Sequence, residues 1–213
     1  NRQYRVAEKI RHFAVHTILV LVALCFIAPL VIIVTGSFSD NHTVLTSGYR
    51  PWPVGGISLE AYEFLANDWS QILNAYRISI VVTATGTVVG LIFSSALAYA
   101  LSRRTFKLRR PLSFLVYFTM LFNGGGIPYY MLVTQTLKLR DTLLALILPP
   151  LVVPFYVLIL RTNFAGLPKE LLDAAKVDGA SELRIFAQIV IPLTKPALVT
   201  IGLFYVLLYW NNW

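Results

Sequence analysis

Apolar residues in this chain gather into long runs instead of recurring at the spaced positions of a soluble amphipathic helix. The runs cover residues 13–34, 78–101, 112–132, 142–160 and 197–213, and the second contains no charge. A helix needs roughly 20 mainly apolar residues to cross a bilayer. These five runs therefore predict five membrane-spanning helices. No strand-length segments of alternating polarity occur, which argues against a β-barrel. The expected fold class is all-α, a polytopic helical bundle with residues 1–213 in a single transmembrane domain. The first run follows Arg2, Arg5, Lys9 and Arg11, a basic lead like that of a signal peptide. It is too long for a signal's apolar core and has no small-residue cleavage site before Pro29, so it reads as a retained span.

Composition agrees with this pattern. Of 213 residues, 57% are hydrophobic and 13% charged, with a mean hydropathy of +0.68. Soluble domains are about a quarter charged, so this chain cannot cover a water-facing surface. The net charge of +8 raises the question of nucleic acid, but its distribution answers it. Four cations precede the first run. Arg103, Arg104, Lys107, Arg109 and Arg110 separate the second from the third, and Arg161, Lys169, Lys176, Arg184 and Lys195 the fourth from the fifth. The alternate loops hold only Arg50, Arg77, Lys138 and Arg140. Such alternation marks the cytoplasmic side of a multi-pass membrane protein. It predicts a cytoplasmic N-terminus, an external loop over 36–71 carrying Asp40, Glu60, Glu63 and Asp68, and no nucleic-acid partner. The single cysteine, Cys25, allows no disulfide framework and no cysteine-based metal site. The chain opens on Asn1 and its last run stops at Trp213, so a fragment lacking part of a natural C-terminus is expected.

Three spans carry finer signals. Gly86, Gly90, Ser94 and Ala98 recur every four residues and form a small-residue stripe that admits a neighbouring helix. The third run is interrupted by Asn123, Gly124, Gly125, Gly126, Ile127 and Pro128. That interruption is either a broken helix lining a path or a helix end followed by an outer loop. Pro149, Pro150 and Pro154 predict a bent fourth helix. His12 and His16 lie one turn apart near the inner face with no carboxylate or thiol beside them, and read as interfacial residues.

The segment 161–195 is polar enough to lie outside the membrane, yet it is organised. Pro168 suits the start of a helix, and Glu170 follows where a helix N-terminus favours an acid. Leu171, Leu172, Ala174, Ala175 and Val177 supply apolar surface before Gly179 interrupts. Ser181 can cap a second helix with Glu182 in its first turn. Leu183, Phe186, Ile189 and Val190 then fall on one face, and Pro192 ends the pattern. The result is a helix, a glycine turn and a helix at the membrane surface.

Residues 170–192, Glu-Leu-Leu-Asp-Ala-Ala-Lys-Val-Asp-Gly-Ala-Ser-Glu-Leu-Arg-Ile-Phe-Ala-Gln-Ile-Val-Ile-Pro, resemble the EAA loop of ABC importer permeases. Asp173, Ala174 and Ala175 match its opening, with Asp in place of Glu. Asp178, Gly179 and Ala180 match its centre, and Phe186, Ile189 and Pro192 its tail, with Ile191 for the usual Leu. Residues 98–103, Ala-Tyr-Ala-Leu-Ser-Arg, are similar to the second-span ending of sugar-importer permeases related to the maltose transporter subunits. Residues 123–128 and 139–142 resemble the oligosaccharide-handling subset. The resemblance implies that 161–195 is a cytoplasmic coupling loop, with Glu170, Asp173, Ala174, Ala175, Asp178, Gly179, Ala180, Phe186 and Pro192 transmitting closure of an ATPase. It also implies six spans in a complete family member, one more than the runs counted here.

No G-x-x-x-x-G-K-[ST] phosphate loop is present, and no catalytic or metal-binding motif appears. The expectation is a transport subunit of the bacterial inner membrane with no cofactor and no ATPase site of its own. Its expected partners are a cytoplasmic ABC ATPase dimer, a second permease, an extracytoplasmic solute-binding protein and the lipid bilayer. Tyr209, Trp210 and Asn211, with aromatic faces and an amide, are candidate sugar contacts, although Trp and Tyr also mark ordinary membrane interfaces. An ABC permease for a non-sugar solute is the nearest alternative. A secondary transporter would want an ion-coupling carboxylate within the spans, and none is visible there.

Overall fold

A computed structural model describes residues 2–122 and 124–212, with side chains for all of these except 2–7 and 10. Asn123, Trp213 and the side chains of Arg2 and Arg5 lie outside the described residues. The chain divides into two compact units, residues 1–73 and 74–213.

The first unit opens with α1 (Arg2–Ser37). Its stretch Arg11–Ser37 is long and apolar enough to cross a membrane, and none of its most apolar window is buried by protein. Lipid is the surrounding that suits such a surface, because a helix satisfies most of its backbone groups internally. Beyond it lie α2 (Asn41–Ser47) and α3 (Glu60–Asn67). Asp40 caps α2, its carboxylate accepting from the Thr43 amide at 2.9 Å and the Thr43 hydroxyl at 2.6 Å. These bonds hold the Asp40 carboxyl below the usual carboxylate range. Among the described residues the strand-like element is an isolated bridge between Ser39 and Ile57.

The second unit is built on α4 (Trp69–Ser102), a 34-residue helix that starts in the first unit and runs well beyond the apolar stretch 78–101. It is followed by α5 (Arg109–Leu121), α6 (Gly126–Met131) with a π-helical turn at Leu132–Thr136, α7 (Leu143–Ile147) and α8 (Pro154–Ala165). Then come α9 (Lys169–Val177), α10 (Glu182–Ile185) with a π-helical turn at Phe186–Val190, α11 (Ile191–Leu193) and α12 (Lys195–Trp210).

Among the described residues two helices, in α1 and α4, are long and apolar enough to cross a membrane alone. A bent pair, Glu182–Leu193 with Lys195–Trp210 at 85°, supplies a third candidate. The third and fourth apolar runs are not continuous helices. α5 leaves helical geometry at Phe122 (φ −113°, ψ 116°), and Gly125 at φ +87° starts α6 in a conformation that a side chain would resist. The fourth run, expected to bend, is broken outright between Ile147 and Pro154, since its prolines supply no amide donor. The last element also differs from expectation. Helical geometry continues through Pro192 and turns at Thr194 (φ −108°, ψ 17°), whose hydroxyl and amide both bond to the Val190 carbonyl.

The small-residue stripe on α4 fits this architecture. A methyl group at Gly86 would lie 2.5 Å from the Tyr209 ring, and one at Gly90 2.9 Å from Tyr205. The two tyrosines of α12 stack at 6.1 Å in the groove the glycines leave. Tyr205 and Tyr209 are fully buried and belong to one core cluster with the equally buried Ala98, Leu101, Val157, Leu160, Ile185 and Ile201. Lipid tails are as apolar as leucine, so burial alone does not hold membrane helices together. Close packing and polar bonds do. The Tyr205 hydroxyl donates to the Leu151 carbonyl at 3.0 Å and accepts from the Val153 amide at 3.3 Å. Having one hydrogen, it must also accept from Ser94 at 2.6 Å. The Tyr209 hydroxyl donates to the Ile147 carbonyl at 2.9 Å. Two backbone carbonyls around the proline break thus find partners on α12.

Candidate functional site

The helix–turn–helix predicted from 161–195 is present, and its geometry follows from its sequence. α9 ends in a paired closure: the Ala180 amide bonds to the Ala175 carbonyl at 2.9 Å and the Gly179 amide to the Lys176 carbonyl at 3.0 Å. Gly179 has φ +79°, the left-handed value that this closure requires. The Ser181 hydroxyl then accepts from the Arg184 amide at 3.3 Å and caps α10. Pro168 stands just before α9 rather than within it.

The segment has two faces. Leu172 and Ile185 are buried, and Ala175, Ala180, Phe186 and Ile189 pack against the core beneath them. Glu170, Asp173, Ala174, Asp178 and Gly179 are exposed, and so is Pro192. Two apolar side chains stand out on the exposed side, Val177 at 88% and Leu183 at 76% exposure. Leu183 was expected to share one face with Phe186, Ile189 and Val190, which here is the buried face. Ile185 occupies that face instead, and two positions amount to about 200° around a helix.

An unanticipated network ties this segment to the end of α4. The Glu182 carboxylate accepts the Tyr99 hydroxyl at 2.6 Å and pairs with Lys176 at 2.6 Å and Arg103 at 3.5 Å. The Arg103 guanidinium lies 5.1 Å from the centre of the Tyr99 ring, which in turn packs on Phe186 at 5.0 Å. Partial burial opposes ionisation of Glu182. The hydrogen bonds from Lys176 and Tyr99, with the Arg103 charge, outweigh it and hold the carboxyl below its ordinary value. Glu182 therefore stays ionised at neutral pH and joins α9, α10 and α4 through one side chain. Helix-dipole reasoning had placed it only as a first-turn acid. Tyr99 lies in the last turn of α4 and Arg103 just beyond its end, and their closeness in sequence was the available signal.

The candidate sugar contacts separate. Tyr209 is fully buried with its hydroxyl bonded to Ile147, so the structure makes it a packing residue rather than an open contact. Trp210 and Asn211 are exposed, and the Asn211 amide donates to the Leu207 carbonyl at 2.8 Å. In the first unit a cavity of about 950 Å³ is lined by Ile33, Tyr49, Phe64, Glu60 and Glu63 among others. In the second unit a basic cavity of about 800 Å³ lies between the loop that follows α4, the start of α5 and α8. Among the described residues no three His, Cys, Asp or Glu side chains gather to hold a metal.

Apolar helices of membrane length, with a polar helix–turn–helix bonded to the end of one of them, define a multi-pass membrane protein. More particularly, residues 86–212 match the binding-protein-dependent transport system inner membrane component, and the chain belongs to that family of ABC importer permeases. It is thus a transport subunit of an inner membrane and not an enzyme. The chain is 40% identical over 199 residues to the polygalacturonan/rhamnogalacturonan transport system permease protein YtcP of Bacillus subtilis (strain 168), covering 93% of this chain and 68% of that one. It is 40% identical over 186 residues to protein LplC of the same organism, covering 87% of this chain and 62% of LplC. Among solved structures it resembles a bacterial ABC transporter involved in the import of the acidic polysaccharide alginate. That likeness has a TM-score of 0.82 and 32% identity, and covers 96% of this chain and 72% of the other.

Proposed function

We propose that this chain is one of a pair of permease subunits in a bacterial importer of carbohydrates, oligosaccharides in particular. A cytoplasmic ATPase dimer, a second permease and an extracytoplasmic binding protein complete the assembly. The names of the relatives, a polygalacturonan/rhamnogalacturonan permease and an alginate importer, support a carbohydrate substrate. The N-terminus lies in the cytoplasm with segment 161–195, because the cations cluster there. Five spans cross the membrane. The runs at 112–132 and 142–160 do so as broken helices, which a bilayer tolerates where neighbours satisfy the freed backbone. The bonds from Tyr205 and Tyr209 to the 147–153 break support that reading.

The observation that carries the coupling role is the closed helix–turn–helix bonded to α4 through Glu182. Glu170, Asp173, Ala174, Asp178 and Gly179, with the exposed Val177 and Leu183, form the surface that docks on the ATPase. Ala175, Ala180 and Phe186 hold that surface to the spans, and Pro192 lies in the short helix before the 85° bend. Closure of the ATPase on ATP would push this rigid segment, move the end of α4 through Glu182, and open the bundle outward. ATP and the loaded binding protein must both prefer the outward state, since a ligand shifts an equilibrium only by binding its two states differently. Trp210 and Asn211 are the remaining candidates for sugar contact.

The test is co-purification with the partner ATPase and uptake of a labelled oligogalacturonide by cells carrying V177D or L183D. Loss of both ATPase and uptake is the expected result. An ATPase that stays bound to both variants would remove the docking assignment, and uptake confined to non-sugar solutes would remove the substrate assignment.

A further inference from the structure

Five cations line the cavity of about 800 Å³ between the α4–α5 loop, α5 and α8: Arg104, Lys107, Arg109, Arg110 and Arg161. None of them enters an ion pair among the described residues, where the pairs are Arg103–Glu182, Lys176–Glu182 and Arg140–Asp141. No carboxylate lines this cavity. The nearest sign of one is Asp173, in an adjoining cavity that shares Arg104 and Arg109. Loop charges that serve only as a topology signal can splay into water. Here Arg109 and Arg161 are half-buried and come from two different helices, which costs electrostatic repulsion unless an anion is present.

Two further features face the same place. Ser113 lines the cavity, and its hydroxyl is buried without a hydrogen-bond partner. Leu108 offers no side-chain cap to the first turn of α5, whose N-terminus carries partial positive charge. Free cations, a spare hydroxyl donor and an open helix N-terminus are the donor set for a phosphate group. The setting favours a phosphate carried by lipid. α5 climbs from this basic collar into an apolar stretch in which Phe114, Leu115, Tyr117 and Phe118 are exposed, a surface that acyl chains would cover.

We propose that this cavity binds the phosphate of an anionic phospholipid headgroup at the membrane interface. The inference rests on the membrane placement of the bundle and not on ATPase docking at 161–195. It predicts that the bundle carries tightly held phosphatidylglycerol beside α5. Each basic residue near an anionic surface contributes about 1 kcal/mol, roughly a fivefold change in binding. Removing two should weaken retention about 25-fold.

The experiment uses the assembled transporter in nanodiscs of phosphatidylcholine with and without phosphatidylglycerol, followed by native mass spectrometry of the lipid retained in neutral detergent. Wild type should keep phosphatidylglycerol over phosphatidylcholine. The double variant Arg109→Gln/Arg161→Gln should lose it, and the exposed pair Arg104→Gln/Lys107→Gln, which cannot disturb packing, should show the same loss to a smaller extent. Lys138→Gln/Arg140→Gln, with equal charge removed elsewhere, should retain it. Equal retention by wild type and both cavity variants would overturn the proposal. So would release of the ATPase with lipid unchanged, which would make the patch a protein contact. Displacement by inorganic phosphate, with equal phosphate binding in discs lacking phosphatidylglycerol, would reassign the site to free phosphate and overturn the lipid.

Discussion

Glu182 offers a direct test of how movement at the helix–turn–helix reaches a span. Tyr99→Phe removes the hydroxyl that donates to Glu182 at 2.6 Å while keeping the ring on Phe186. Glu182→Gln removes the charge that pairs with Lys176 and Arg103. A hydrogen bond to a charged group contributes about 1.5–3 kcal/mol. The Glu182 side chain is half exposed and can be hydrated when Tyr99 is changed, so the lower end applies to that bond. The Lys176 pair, with side chains 39% and 50% exposed, adds at most about 1 kcal/mol. Each single variant should therefore destabilise the assembled permease, and the double variant should fall short of their sum by about 1 kcal/mol. Thermal unfolding in detergent gives the stability cycle, and substrate-stimulated ATPase activity gives the functional one, where 1 kcal/mol of coupling is about fivefold. The sign with pH follows from the lowered carboxyl. The stabilisation is present above the ordinary glutamate value of 4.5 and is lost as pH falls through the lower folded value. The gap between wild type and Glu182→Gln should be full at pH 7 and close in acid. Additive effects within about 0.3 kcal/mol would refute a direct Tyr99–Glu182 link, and unchanged ATPase stimulation in both variants would refute its role in transmission.

Three other outcomes test the packing and the turn. Gly86→Ala sets a methyl 2.5 Å from the Tyr209 ring, an overpacking that should cost about 1–3 kcal/mol and be relieved when Tyr209 is shortened to Leu, as read by unfolding of the double variant. Tyr205→Phe leaves the Ser94 hydroxyl, the Leu151 carbonyl and the Val153 amide without their shared partner. Its expected cost is about 1–3 kcal/mol, with faster hydrogen exchange at residues 147–153. Gly179→Ala meets no neighbour within 4 Å, so its cost is backbone strain alone at φ +79°, about 1–2 kcal/mol, and Gly179→Asn should recover most of it in the same unfolding assay.

What the chain alone determines here is whatever depends on local pattern. Apolar runs identify the membrane as solvent, because no other surrounding accepts so much hydrocarbon and so little charge. Gly179 and Ser181 mark the turn between α9 and α10, since closing a helix needs a left-handed residue and opening one needs a cap. The stripe of Gly86, Gly90, Ser94 and Ala98 announces a helix contact but not its partner. Tertiary structure decided the rest. It chose Tyr205 and Tyr209 to fill that stripe, which turned a candidate sugar contact into a packing residue. It made the fourth apolar run a broken helix, because backbone groups freed around Pro149, Pro150 and Pro154 are bonded by tyrosine hydroxyls 52 to 62 residues away. It also brought Glu182 to Tyr99 across 83 residues. Periodicity describes one helix at a time, and a bond between helices depends on crossing geometry that only the packed bundle defines.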